Sequence, residues 1–158
     1  MNSIRKDIMQ FFVAQFKRIN RTTDTTIGAP RSPYTFNKFV GTVKDRFLYL
    51  DQINDFPTIC LYDMTERRTH IGSGIKFGTF TLTIRGYIKE ADPILAAEDL
   101  AEDIEYVVNT WTHLKSDTCP LLLEDVRVAS LQTDEGLFEP YGLCQVRAEV
   151  FYQIPPLV

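Results

Sequence analysis

The feature that most constrains this chain is a strict alternation near its C-terminus, with Cys144, Val146, Ala148, Val150, Tyr152 and Ile154 on one side and Gln145, Arg147 and Glu149 on the other. A period of two marks a strand with one buried face. Sliding its register by one residue would carry Arg147 and Glu149 into the core, so the pattern itself fixes the pairing. A second strand precedes it, with Val126 and Val128 opposed to Arg127 and Ala129. Between the two, the segment TDEGLFEPYG (Thr133 to Gly142) holds Gly136, Pro140 and Gly142, which suit a bent loop, and reads as the tip of a long hairpin. The carboxylates Asp134, Glu135 and Glu139 surround Leu137, Phe138 and Tyr141, an apolar content too high for a turn that meets only solvent. Either these aromatics fold back on their own domain or they serve a partner.

A further strand, Phe77 to Lys89, sets Phe80, Leu82, Ile84 and Ile88 against Thr79, Thr81, Thr83 and Arg85. At roughly 3.3 Å per residue it spans about 40 Å, long for a small domain, so it either projects beyond the core or bends at Gly86. Pro57 opens a short strand, Thr58 to Asp63, in which Ile59 and Leu61 alternate with Cys60 and Tyr62. No apolar period survives from Thr65 to Gly74, which predicts a polar break carrying Arg67 and Arg68, with Gly72-Ser73-Gly74 at a hairpin tip. Those glycines lack the G-x-x-x-x-G-K-[ST] spacing of a phosphate loop. Thr35 to Val43 and Arg46 to Leu50, around a turn at Lys44-Asp45, predict another hairpin.

Two helices complete the set. The first runs from a cap at Asn2 or Ser3 to about Asn20, with Ile4, Ile8, Phe11, Phe12, Phe16 and Ile19 on a stripe broad enough to pack on a sheet. The second follows Asp92-Pro93, a capping residue and a first-turn proline, and turns Ala97, Leu100, Ile104, Val107, Val108, Trp111 and Leu114 inward. Its opposite side carries Glu98, Asp99, Glu102, Asp103 and Glu105, partly explained by the preference of a helix N-terminus for negative charge. The expected fold is α+β, with two helices on a mainly antiparallel sheet of about five or six strands and long hairpins projecting from it. A single domain over residues 1–158 is expected, with flexible segments near 21–34 and 65–75.

Composition narrows the function classes. A hydrophobic content of 44% and a charged content of 24% are ordinary for a globular chain and point away from disorder and from a membrane protein. No window approaches about 18 uninterrupted apolar residues and no signal-peptide progression opens the chain, so the protein is expected to stay where it is made. Cys60, Cys119 and Cys144 are odd in number and far apart, which reads as reduced apolar residues rather than a redox or zinc pair. A net charge of −4 argues against a chain whose task is to grip nucleic acid. His70 and His113 are the two histidines, and Ser73 sits in a glycine turn, so no nucleophile pattern emerges. Glu98 and Glu102 lie one turn apart without a nearby histidine in sequence, and neither a metal nor a cofactor is expected.

The segment TDEGLFEPYGL, the strand after it, and Tyr152 followed by Gln153, Ile154, Pro155 and Pro156 resemble the closing hairpin of the tail terminator (tail completion) proteins of long-tailed bacteriophages, in particular the siphophage, T5-like type. The upstream order agrees: an amphipathic helix, a Phe56-Pro57 step into a strand, a long strand ending near Lys89, and an acidic helix. The resemblance implies a structural virion protein, not an enzyme, that forms a hexameric ring on the tail tube, ends its polymerisation and offers the surface that joins tail to head. Implied partners are other copies of the chain, free or only on the tail, the tail tube protein, and a head-to-tail connector or neck protein. DNA enters only as passing cargo and no membrane is involved. The implied location is the virion tail, and the host cytoplasm during assembly. Under this reading Arg67, Arg68, Asp134, Glu135, Phe138, Glu139 and Tyr141 are candidates for the assembly interface. Glu98, Glu102 and Glu105 are candidates for the channel lining, where negative charge repels phosphates. A head-to-tail neck or adaptor protein, a tube subunit, and a small intracellular ligand-binding or enzymatic domain are the competing readings.

Overall fold

The computed structural model describes residues 4–17, 19, 42–110, 123–134, 136 and 139–154, with Met64 described by its backbone alone. In chain order these form α1 (Ile4–Phe16), β1 (Thr42–Lys44), a 3-10 turn (Leu50–Gln52), β2 (Thr58–Gly72), β3 (Ile75–Lys89), α2 (Pro93–Asn109), β4 (Leu123–Thr133) and β5 (Tyr141–Ile154). Five strands make one sheet in the order β1-β2-β3-β5-β4. Every pairing is antiparallel except the parallel step from β1 to β2. The α+β expectation therefore holds.

The alternation in β5 sets the centre of the sheet. β5 pairs with β3 from Lys76↔Ile154 to Lys89↔Tyr141 and with β4 on its other side. Cys144, Val146, Ala148, Val150 and Tyr152 are all buried, and Phe80, Leu82, Ile84 and Ile88 of β3 share their face. α2 packs over β3, β5 and β4, and α1 lies against β1, β2 and α2. Ile8, Phe11, Phe12, Phe16 and Ile19 join the same core, as the stripe predicts. Each such side chain contributes about 1.5–3 kcal/mol when fully buried, so this helix-covered face holds most of the stabilising area.

Local chemistry explains the helix ends. The Asp92 carboxylate accepts the Leu95 N–H at 3.4 Å, and Pro93 occupies the first turn, where no N–H is needed. α1 stops at Phe16, but a turn bonding Ile19 N–H to Phe16 O at 3.2 Å still delivers Ile19 to the core. The expected cap at Asn2 or Ser3, the segment near 21–34, the first strand before Thr42, and Trp111 and Leu114 lie outside the described residues. At Gly86 a Cβ would stand 2.6 Å from Leu100 Cδ2, so this glycine lets α2 close on the sheet, and β3 stays paired across it.

Three expectations need correction. The strand from Thr58 continues to Gly72 instead of breaking after Asp63, because β3 supplies a full-length ladder for it. An edge strand needs no apolar alternation once one neighbour holds its backbone. A bulge between Tyr62 and Thr65 marks the change, where Asp63 takes a left-handed φ of 64° and accepts hydrogen bonds from Thr65 and Thr83. Arg46 to Leu50 is not a strand paired with its predecessor. β1 pairs parallel with β2, and Leu48, Leu50 and Phe56 instead cover Ile53, Cys60 and Tyr87 on the second face, where Tyr87 Oη donates to Leu48 O at 2.6 Å. Finally, Asp103 is buried rather than on the acidic outer side of α2.

Candidate functional site

Two ends of the sheet collect the side chains singled out in the sequence. At one end Asp134, just after β4, lies with Gly136 and the start of β5 next to the start of α2. Asp134 closes the ladder, its N–H bonded to Leu143 O at 2.9 Å and its carboxylate accepting Leu143 N–H at 3.2 Å. Its second oxygen, Oδ2, is buried with no hydrogen-bond partner among the described residues. Thr133 Oγ1 donates to Glu98 Oε1 at 2.8 Å and ties the root of the loop to α2. Gly136 lies close enough to α2 that a Cβ there would be 3.1 Å from Ile94 Cδ1. Glu139 is exposed, whereas Tyr141 is half-buried, its ring 5.5 Å from Phe56 and beneath the Lys89 ammonium at 5.6 Å. Glu135 and Phe138 lie outside the described residues.

At the opposite end stands the tip of β2 and β3. Arg67 and Arg68 are both exposed, but as consecutive strand residues they point to opposite faces. Arg68 Nε pairs with Glu66 Oε2 at 2.9 Å. Arg67 shares a transverse row with Thr79, Phe151 and Asp125. β3 separates the two ends by 15 residues, about 50 Å at roughly 3.3 Å per residue, so the described interface candidates, Arg67 and Arg68 against Asp134, Glu139 and Tyr141, form two clusters, not one. On α2, Glu98 and Glu102 are exposed and Glu105 is half-buried.

Sequence reasoning passed over two features. One is the exposed apolar pair Ile71 and Ile75, flanking Gly72-Ser73-Gly74, together with a second pair at Ile94 and Leu95. Branched residues on either side of a glycine turn were the available signal. The other lies on the second sheet face, where Arg85 Nη2 donates to Gln145 Oε1 at 2.6 Å and its guanidinium sits 5.4 Å from the Phe47 ring and 5.7 Å from the Tyr62 ring. Partners of this kind come from positions 38 and 60 residues away, which no local pattern reports. Burial, only partly offset by the charge of Arg85, pushes the Tyr62 hydroxyl up, and burial likewise raises the Tyr87 hydroxyl. Complete burial pushes the Cys144 thiol up to about 12, and burial raises Cys60 as well, so both thiols are poor nucleophiles near neutrality.

Two grooves among the described residues, of about 270 and 290 Å³, fall just under the roughly 300–1,000 Å³ of small-molecule sites. One is lined by Arg85, Gln132, Thr133, Asp134, Leu143 and Gln145. Among the described residues no cluster of three or more His, Cys, Asp or Glu is placed to hold a metal ion, and no helix is long and apolar enough to cross a membrane. The chemistry available at both ends is that of surfaces: apolar side chains and charge.

Comparison with known proteins gives two matches. Residues 5–158 match the family model described as Bacteriophage Tail Tube Terminator Protein. Over 150 residues the chain is 31% identical to the tail tube terminator protein p142 of Escherichia phage T5, covering 90% of this chain and 91% of that protein.

Proposed function

The chain belongs to the bacteriophage tail tube terminator family, and on that premise we propose that it ends the growth of a phage tail tube by seating on the last tube subunits. The observation that carries this reading is the extent of the family match, which takes in both helices and all five strands and not one motif. The protein acts as a hexameric ring, formed free or only on the tube end, with all 158 residues of each copy working as one domain. One ring face covers the docking surface of the tube. The other offers the surface on which a connector or neck protein joins the head. The role is structural, performed by shape and charge in the virion tail after assembly in the host cytoplasm.

Ring closure needs two unlike patches per subunit, meeting after a fixed rotation and each burying on the order of 1,200–2,000 Å². Arg67 and Arg68 at one end, and Asp134, Glu135, Phe138, Glu139 and Tyr141 at the other, supply unlike patches, with the aromatic residues as anchors. The acidic side of α2, Glu98, Glu102 and Glu105, faces the channel, where like charge keeps passing DNA from adhering. The test is to add the protein to polymerising tube protein from the same phage. Tubes should shorten at far less than one copy per tube subunit. A length distribution that ignores the protein would refute the reading, and binding to the head connector alone would assign it to the neck.

A further inference from the structure

We propose that the tip of β2 and β3 on one subunit docks on the α2 rim of the next copy, closing the ring through contact between opposite ends of identical chains. The inference rests on the ring reading above and specifies its interface. Four of the exposed large apolar side chains stand in two pairs at the two ends of the sheet. Ile71 and Ile75 are 65% and 44% exposed at the tip, and Ile94 and Leu95 are 41% and 64% exposed at the rim. Adjacent exposed apolar residues with polar surroundings mark interaction sites more often than scattered single ones do.

The charge around each pair has opposite sign. Arg67 and Lys76 border the tip, beside an Arg68–Glu66 ion pair that cancels its own charge. Asp92, Asp99 and Glu139 border the rim and outnumber Lys89, whose ammonium lies over Tyr141. A basic apolar patch cannot complement itself, so a two-fold dimer through either patch is disfavoured. Tip against rim is attractive and heterologous, the type of contact that generates rings when the rotation closes.

Shape agrees with charge. Gly72, Ser73 and Gly74 all adopt left-handed backbone, with φ of 93°, 52° and 77°, so the chain reverses within a narrow finger. Nothing lies within 4 Å of where a Cβ would stand on Gly72 or Gly74, which leaves the finger clear of the body. The rim of the same chain is about 50 Å away along β3, out of its own reach, so a second copy is the occupant that satisfies both patches.

The experiment uses the full chain with tail tubes of its own phage, in a Cys119→Ser background. Cys60 and Cys144 are buried and stay silent. Ile75→Cys and Leu95→Cys proteins are mixed, bound to tubes and oxidised. A covalent dimer containing one of each is expected, with none from either protein alone. In parallel, the Ile71→Asp/Ile75→Asp variant should cap at least tenfold fewer tube ends while keeping its unfolding midpoint. Crosslinking of the tip thiol to tube protein instead, or normal capping by the double aspartate variant, would overturn the docking proposal while leaving the terminator role intact. Bare tube ends with the unsubstituted protein would remove both.

Discussion

β5 and the outer half of β2 belong to one sheet but do different work. β5 is paired on both sides, and every second residue from Cys144 to Tyr152 is buried under the helices. Residues 63–72 of β2 pair with β3 alone among the described residues, and apart from half-buried Glu66 their described side chains are exposed. Stability therefore resides where strands have two neighbours and a helix above them. The outer half of β2 contributes little burial, which leaves its side chains free to be chosen for contact.

Substitutions should separate the two regions by size of effect. Phe12→Ala removes a ring that packs edge-on to Phe11 at 5.3 Å and stacked on Phe16 at 6.2 Å, and should cost about 3–5 kcal/mol in urea unfolding. A cost near that of a surface change would show that α1 is not part of the core. The Cys144 thiol gives a pH-dependent effect of similar scale. It stays neutral in the fold up to about 12 but ionises near 9.0 in the unfolded chain, so its stabilisation is complete below pH 9 and is lost as pH rises towards 12. The full loss is on the order of 4 kcal/mol. Cys144→Ala should flatten that part of the alkaline slope, measured by unfolding at pH 8 to 11; an unchanged slope would mean the thiol is accessible.

Smaller effects sharpen the contrast. Gly86→Ala forces Leu100 and Cys144 aside, since a Cβ there would lie 2.6 and 2.8 Å from their side chains, and should cost about 1–3 kcal/mol. Asp92→Ala removes the side-chain cap of α2 and should cost about 1 kcal/mol, readable as a lower thermal midpoint. Ile71→Ser, on the exposed tip, should change unfolding by less than about 0.5 kcal/mol. If it destabilised the isolated chain as much as Gly86→Ala, the division between a stabilising centre and a spare edge would fail.

The same division decides what the sequence reveals. β5, β3 and α2 were legible because burial on one face imposes a period, and Asp92-Pro93 marked a helix start by its chemistry. The outer half of β2 is not, because among the described residues it is held by one neighbour, and a strand that faces solvent is free of any apolar rhythm. Phe47 and Leu48 looked like strand residues by propensity, yet the second face of the sheet takes them as a cover over Tyr87 and Tyr62, a tertiary choice that overrides local preference. Asp103 departs from the acidic side for a related reason: Leu100, Ile104 and Val107 flank it on the buried side of α2. Of the candidate interface, the charges could be read directly, but their separation into two ends depended on a strand length set by pairing.

Under the proposed function this chain closes a tube end as a ring. Electron microscopy of tail tubes incubated with the protein, with averaging of tube ends viewed down the axis, tests it most directly. The expected result is a six-fold ring at one end of each tube and no added density along the wall. Protein spread along the tubes, or ends without added density at saturating protein, would contradict it.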